Sequence, residues 1–205
     1  MRTHLRLTLA LLAVLASAGA SPAQEEIDKA KAAAFDKRLF AAPLAPKTTY
    51  ACFIRNYDAE HLAKHPGQKV AAMKLLVTAE NVSEDKTVNY SFRLGVKYRH
   101  RTGNFDSSGS CNHFVPEDAA GEIRLGCGVD CDGGGLNVAL SKDDKSAIIR
   151  LERVRIWQNN KPDDEAEHSL VAGADDKVFR LDRADNRECA SLVTDRKELA
   201  ALRRK

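Results

Sequence analysis

Two cysteines, two aspartates and three consecutive glycines crowd into nine residues of GCGVDCDGGGLNVAL, which runs from Gly126 to Leu140. Four chemistries compete for such a stretch: a redox pair, a metal loop, a phosphate cradle and a stapled turn. Thioredoxin-like redox chemistry separates its cysteines by two residues at a helix N-terminus. CGVDC has three, in a strand context. A phosphate cradle needs Lys-Ser/Thr and a helix after the glycines, and neither follows. A calcium loop wants a third aspartate where DCDGGG, with Asp130 and Asp132, has glycine. Asp-Gly is also a strong hairpin signal, because both residues tolerate positive φ. Zinc would need four ligands in closely spaced pairs. Cys127 with Cys131, His61 with His65, and Cys111 with His113 could supply them, but an oxidising compartment favours disulfides over thiolates.

The stapled turn is the reading that remains. Cys111 and Cys127 flank the loop PEDAAGE, whose centre is near Ala119. Counting outward from that centre sets the two cysteines opposite each other on antiparallel strands, close enough to bridge. The ring of about 17 residues would contribute roughly 3 kcal/mol in the chain-entropy account. Cys131 then lies past the strand end, free to meet Cys52 or Cys189; a slip in register would make 111–131 the pair. Five cysteines is an odd number. The expectation is two bridges, one within the 111–131 corner and one involving Cys52 or Cys189, with one thiol left over.

Other reactive sets are thin. The chain contains no Gly-x-Ser-x-Gly, no His-Glu-x-x-His and no Walker-type loop. SGSCNH places Cys111 and His113 on one face of a strand, where a Cys–His dyad is conceivable, although a bridged Cys111 is favoured. His61 and His65 read as an exposed helical turn opened by Asp58 and ended by Pro66-Gly67. The carboxylates of DDEAEH (163–168) read as a solvated loop. Arg93, Lys97, Arg99 and Arg101 form a basic row on one strand face, able to meet an anionic surface but usually just the wet side of a sheet.

The elements that carry these residues are mostly strands. Val88, Tyr90, Phe92, Leu94, Val96 and Tyr98 alternate with polar or small residues, and so do Ala71, Met73, Leu75, Val77 and Ala79. This is the signature of half-buried strands, and the intervening ENVSED makes a hairpin of them. Across SKDDKS, Ala147, Ile149 and Leu151 should face Leu140, Val138 and Leu136. Weaker strands fall at 49–57, 107–115, 121–129 and 177–182. About eight strands with short polar connections predict a mainly β domain, an antiparallel barrel or sandwich. A helical arm and linker (24–48) precede the β-rich domain (49–205). A short C-terminal helix, TDRKELAALRRK, carries Asp195 as N-cap, Glu198 three residues on, and Arg203, Arg204 and Lys205 at its end.

Arg2, His4 and Arg6, the apolar run Leu7–Leu15 and the small residues up to Ala20 or Ala23 predict a secretory signal peptide over residues 1–23. No cysteine follows the run to suggest a lipid anchor, and no twin-arginine pair precedes it. No later segment is long and apolar enough to span a bilayer. Two of the 32 Lys and Arg fall in that segment and none of the 29 Asp and Glu, so the remainder balances 30 against 29. A nearly neutral chain gives no global argument for nucleic acid or for an anionic membrane.

YDAEHLAKHPGQKV, CGVDCDGGG and ADDKVFRLDR followed by a cysteine together resemble a group of uncharacterised exported proteins of alphaproteobacteria. The resemblance spans most of the chain after residue 23. It implies a periplasmic or secreted location and brings no activity. The functional expectation is a non-enzymatic, disulfide-stapled β-domain that needs no cofactor and binds a small ligand, an envelope component or a protein partner. The alternative is a Cys/His-dependent metal protein or enzyme.

Overall fold

The computed structural model describes residues 27–82, 84, 87–117, 121–158 and 168–203. The segment 1–23, Ala119 at the centre of PEDAAGE, the carboxylates at 163–167, and Arg204 and Lys205 lie outside them.

Nine strands form one antiparallel sheet: β1 (Thr48–Asn56), β2 (Val70–Val82), β3 (Thr87–Tyr98), β4 (Phe105–Phe114), β5 (Arg124–Gly128), β6 (Gly134–Leu140), β7 (Ser146–Gln158), β8 (His168–Val171) and β9 (Val178–Ala184). Strands β1 to β7 pair in sequence, each with the next; β7 pairs with β9, and β9 returns to β1. The sheet therefore closes into a barrel, which removes the edges an open sheet would expose. The long β7 makes closure possible. Its first residues, from Ser146 to Arg150, pair with β9, while Arg153 to Ile156 pair with β8. Gln158 reaches Phe105 of β4.

Register follows the apolar pattern. Leu136, Val138 and Leu140 pair with Leu151, Ile149 and Ala147, as the alternation requires. The inward residues fill the barrel: Phe53, Phe92, Phe105 and Phe179 are each at most 1% exposed. Strand β8, only four residues, is too short to show a period and has no counterpart in the sequence reading. The loop before β9 seals the start of β2. Asp176, fully buried, accepts the backbone N–H of Lys69 at 2.7 Å and of Val70 at 3.4 Å, where no strand supplies a carbonyl.

Helix α1 (Lys29–Leu39) begins at Asp28, whose carboxylate accepts the N–H groups of Ala30 and Lys31. This helical arm packs back on the barrel, with Phe35, Leu39 and Phe40 buried in the main core. Arg183 holds its last turn by donating to the carbonyls of Leu39 at 2.8 Å and Arg38 at 2.9 Å, which satisfies orphan acceptors at the negative end of the helix dipole. Helix α2 (Ala59–Lys64) is the short turn expected around His61, capped by Asp58.

At the other end of the chain, a 3-10 turn (Asn186–Leu192) and helix α3 (Arg196–Leu202) lie on the outside of the barrel. A second apolar cluster forms there, with Cys52, Leu76, Cys189, Leu192, Val193 and Leu202 all buried. This explains why β2 is buried on both faces from Leu75 to Ala79, although its sequence alternates.

All four tyrosines have phenols pushed above their ordinary value, each chiefly by burial. Tyr57 is raised to about 12. Tyr90 is raised further, because burial is joined by its hydrogen bond to Asp36 and by that carboxylate's charge. The folded chain thus favours the neutral phenol more than the unfolded chain does. That stabilisation is complete below a pH of about 10, the unfolded value, and is lost as pH climbs through the folded values. Alkaline titration should show native phenolate absorbance lagging that of the denatured chain, with stability falling above pH ~10. Coincident native and denatured titrations would contradict this.

Candidate functional site

The cysteine corner is built as its residue spacing predicts. Cys111 and Cys127 are directly opposed on β4 and β5 and joined by a disulfide. The second bridge joins Cys52 to Cys189, with Cα atoms 5.9 Å apart. Cys131 therefore pairs with neither Cys52 nor Cys189, and it is the exposed free thiol. The physical reason is position. Cys131 sits at the tip of the β5–β6 hairpin, whereas Cys52 and Cys189 meet between β1 and the C-terminal turn. The hairpin turn also shifts by one residue from the Asp-Gly step: Cys131 and Asp132 are its central pair, with φ of 56° and 57°. Gly133 N–H donates to the Asp130 carbonyl at 3.3 Å and Val129 N–H to the Gly134 carbonyl at 2.9 Å. Both φ signs match a type I′ turn.

These bonds remove ligands from the Cys/His alternative. Among the described residues, no three His, Cys, Asp or Glu side chains gather closely enough to hold a metal ion. His61 and His65 stack with ring centroids 4.4 Å apart, and His61 Nε2 lies 2.9 Å from Gln68 Oε1. His113 shares the inward face of β4 with Cys111, but its partner is Asp36 of α1, at 2.8 Å from Nε2. Tyr90 donates to the same carboxylate at 2.6 Å. This partly buried Tyr–Asp–His set, centred on the buried Asp36, locks α1 onto the barrel, and neither Asp36 nor Tyr90 stands out in the sequence as polar chemistry.

The basic row is divided among several tasks. Arg99 donates to the Leu62 carbonyl at 3.1 Å and supports α2. Arg101 stacks on Tyr98 and Phe105. Arg93 makes a bidentate pair with Glu198, at 2.6 and 2.9 Å. Glu198 thus serves to pin α3 to β3, while Asp195 caps the helix by accepting the N–H groups of Lys197 and Glu198. Lys97 alone of the four makes no side-chain hydrogen bond, ion pair or ring contact among the described residues.

Lys97 opens onto a cleft of about 470 Å³. Its floor is the outer face of β2, β3 and β4; its wall is the C-terminal segment at Ser191 and Leu192. An adjoining lobe of about 230 Å³ shares Asp106 and Leu192 and is bounded by Trp157, Ser108 and Thr194. Trp157, the only tryptophan, is half-buried and pairs in register with Asp106. Gly95 is what lets the wall approach: a Cβ there would stand 2.6 Å from Leu192 Cδ2. Lys74 crosses the floor to donate to the Glu188 carbonyl. The Cys52–Cys189 bridge fixes the wall from behind. The cleft's size suits a small ligand, and the groups of its two lobes are mixed: one aromatic side chain, the ammonium of Lys97, the carboxylate of Asp106, and the hydroxyls and amides of Ser108, Thr194, Asn56 and Asn104.

Sequence reasoning reached Arg93 and Lys97 but missed Trp157, Asp106 and Gly95. A large aromatic at an outward strand position was the available signal for Trp157. Nothing local foretells that the C-terminal segment folds back over Gly95. Among the described residues no helix is long and apolar enough to cross a membrane. Comparison with protein-family models, curated proteins and solved structures finds no match for this chain.

Proposed function

We propose that the protein is an exported, non-enzymatic binding module whose outer cleft takes a small hydroxylated carboxylate, a uronic acid in chemical class. One observation carries the reading: Lys97, without an ion-pair partner among the described residues, lines the cleft, Trp157 lines its adjoining lobe, and both lobes are walled by the disulfide-anchored segment at Leu192. The carboxylate would sit on Lys97, hydroxyls on the Asn, Ser and Thr side chains, and the apolar ring face on the indole. The barrel interior is occupied by its own phenylalanines, which favours an outer site over an enclosed one. Two disulfides fit an oxidising extracytoplasmic setting, and the signal-peptide pattern of residues 1–23 agrees with it.

Because Trp157 is the sole tryptophan, intrinsic fluorescence reports on this cleft directly. Titration with galacturonate should shift the emission saturably, galactose should act at least about tenfold more weakly, and Lys97→Glu should abolish the response. Lys97 is exposed, so that variant should fold normally. An emission unmoved by galacturonate, or a response unchanged in Lys97→Glu, would sink the assignment.

A further inference from the structure

The barrel carries a second cavity, away from the cleft, and the geometry points to it as a binding site for a phosphoryl group attached to an apolar body. The cavity, of about 300 Å³, lies where β8 faces the end of β3. Lys69, His100 and Arg101 line it, and all three are exposed. None of their side chains makes an ion pair or a hydrogen bond among the described residues. Among the described residues no carboxylate lines the cavity. Asp176, bonded to the backbone of Lys69, is fully buried and turned to the N–H groups of Lys69 and Val70. Two cations and an imidazole thus face one half-open cavity with no carboxylate of the described residues among them.

Arg101 is already arranged for the task. Its guanidinium carbon lies 5.0 Å from the Tyr98 ring centroid and 4.4 Å from that of Phe105. Those rings hold each other edge to face at 5.2 Å. Stacking uses the flat face of the guanidinium and leaves its N–H edge available, which is the edge that grips phosphate in a bidentate manner. Lys69 adds a point charge beside it, and His100 a ring nitrogen able to hydrogen-bond. Apart from Ser169, the rest of the lining is mainly apolar: Val171 is 48% exposed, one of two large aliphatic side chains left so open among the described residues, and it adjoins Tyr98 and Leu170. Cations on one side and an apolar wall on the other describe an amphipathic anion rather than a bare ion. A soluble phosphomonoester and a lipid headgroup share that chemistry.

The test uses the full disulfide-bonded protein and calorimetric titration with phenyl phosphate, inorganic phosphate, and phosphatidylcholine vesicles with and without phosphatidic acid. Phenyl phosphate should bind more tightly than inorganic phosphate by about tenfold, and Arg101→Met, which keeps the stem packed, should weaken it by at least about tenfold. Lys97→Glu should leave this binding unchanged, which separates the site from the outer cleft. Capture by phosphatidic acid vesicles that Arg101→Met abolishes would assign a lipid headgroup. Phenyl phosphate binding without vesicle capture would assign a soluble ester. Phenyl phosphate that produces no binding heat, or binds Arg101→Met equally well, overturns the proposal.

Discussion

Replacing Cys52 and Cys189 together by serine should lower unfolding stability by about 5 kcal/mol, more than any other pair of substitutions discussed for this chain. The bridge closes a loop with a sequence separation of 137 residues, against 16 for Cys111–Cys127. Chain entropy makes the longer loop the more stabilising, at roughly 5 against 3 kcal/mol. The native-state consequence has the same direction. The bridge ties the 3-10 turn to β1, and with it Leu192, Val193 and Leu202, which cover Leu76. Releasing that segment would expose apolar surface on the outside of the barrel and take away the wall of the cleft. A domain of this size carries roughly 5–15 kcal/mol in total, so the variant should be marginal. Urea unfolding of the double-serine variants of each bridge measures both. A loss for Cys52–Cys189 smaller than for Cys111–Cys127 would contradict the loop argument. Unchanged Trp157 emission in the folded variant would show that the wall does not depend on the bridge.

Asp36→Ala should cost about 3–4 kcal/mol. The Asp36 carboxylate is 7% exposed and receives both His113 Nε2 and the Tyr90 hydroxyl. Removing it strands two polar groups inside the junction between α1 and the barrel, and an unpaired buried group costs more than the bond it loses. Around them lie Phe35, whose ring meets the His113 ring edge to face at 5.9 Å, and Leu39 and Phe40. Undocking of α1 would uncover all three. Asp36→Asn keeps the shape and one acceptor, so its loss should be about half as large. Chemical unfolding with a hydrophobic dye as second probe tests this. A loss below about 1 kcal/mol for Asp36→Ala would mean the helix is held by Arg183 and its apolar contacts alone.

The β pattern was readable because strand burial has a period that composition cannot hide. Phe92, Leu94 and Val96 point inward on β3, and the hairpin of β6 and β7 keeps the register its apolar residues demand. Cys111 faces Cys127 for a related reason: loop symmetry between antiparallel strands determines who stands opposite whom. The limits are equally physical. Leu76 sits at an outward position yet is fully buried. Its cover is the segment around Leu192, more than a hundred residues away in the chain. Asp36 lies in a helix that sequence alone leaves without a partner, and Tyr90 reads as an apolar member of β3.

Local sequence, then, determined eight of the nine described strands, the facing residues of their hairpins, the corner staple, the caps at Asp58 and Asp195 and the odd thiol, because each depends on periodicity, turn chemistry or counting over short spans. Tertiary structure decided the rest. Closure into a barrel rests on β7 being long enough to pair with β6, β4, β9 and β8 in turn. The choice of Cys189 as the partner of Cys52, with Cys131 left over, depends on where the C-terminal turn docks. The cleft exists because that turn packs over Gly95, and the second cavity because β8 and Arg101 line one space. Such placements come from contacts between residues far apart in sequence, whose energy is shared over many side chains and is carried by no short motif.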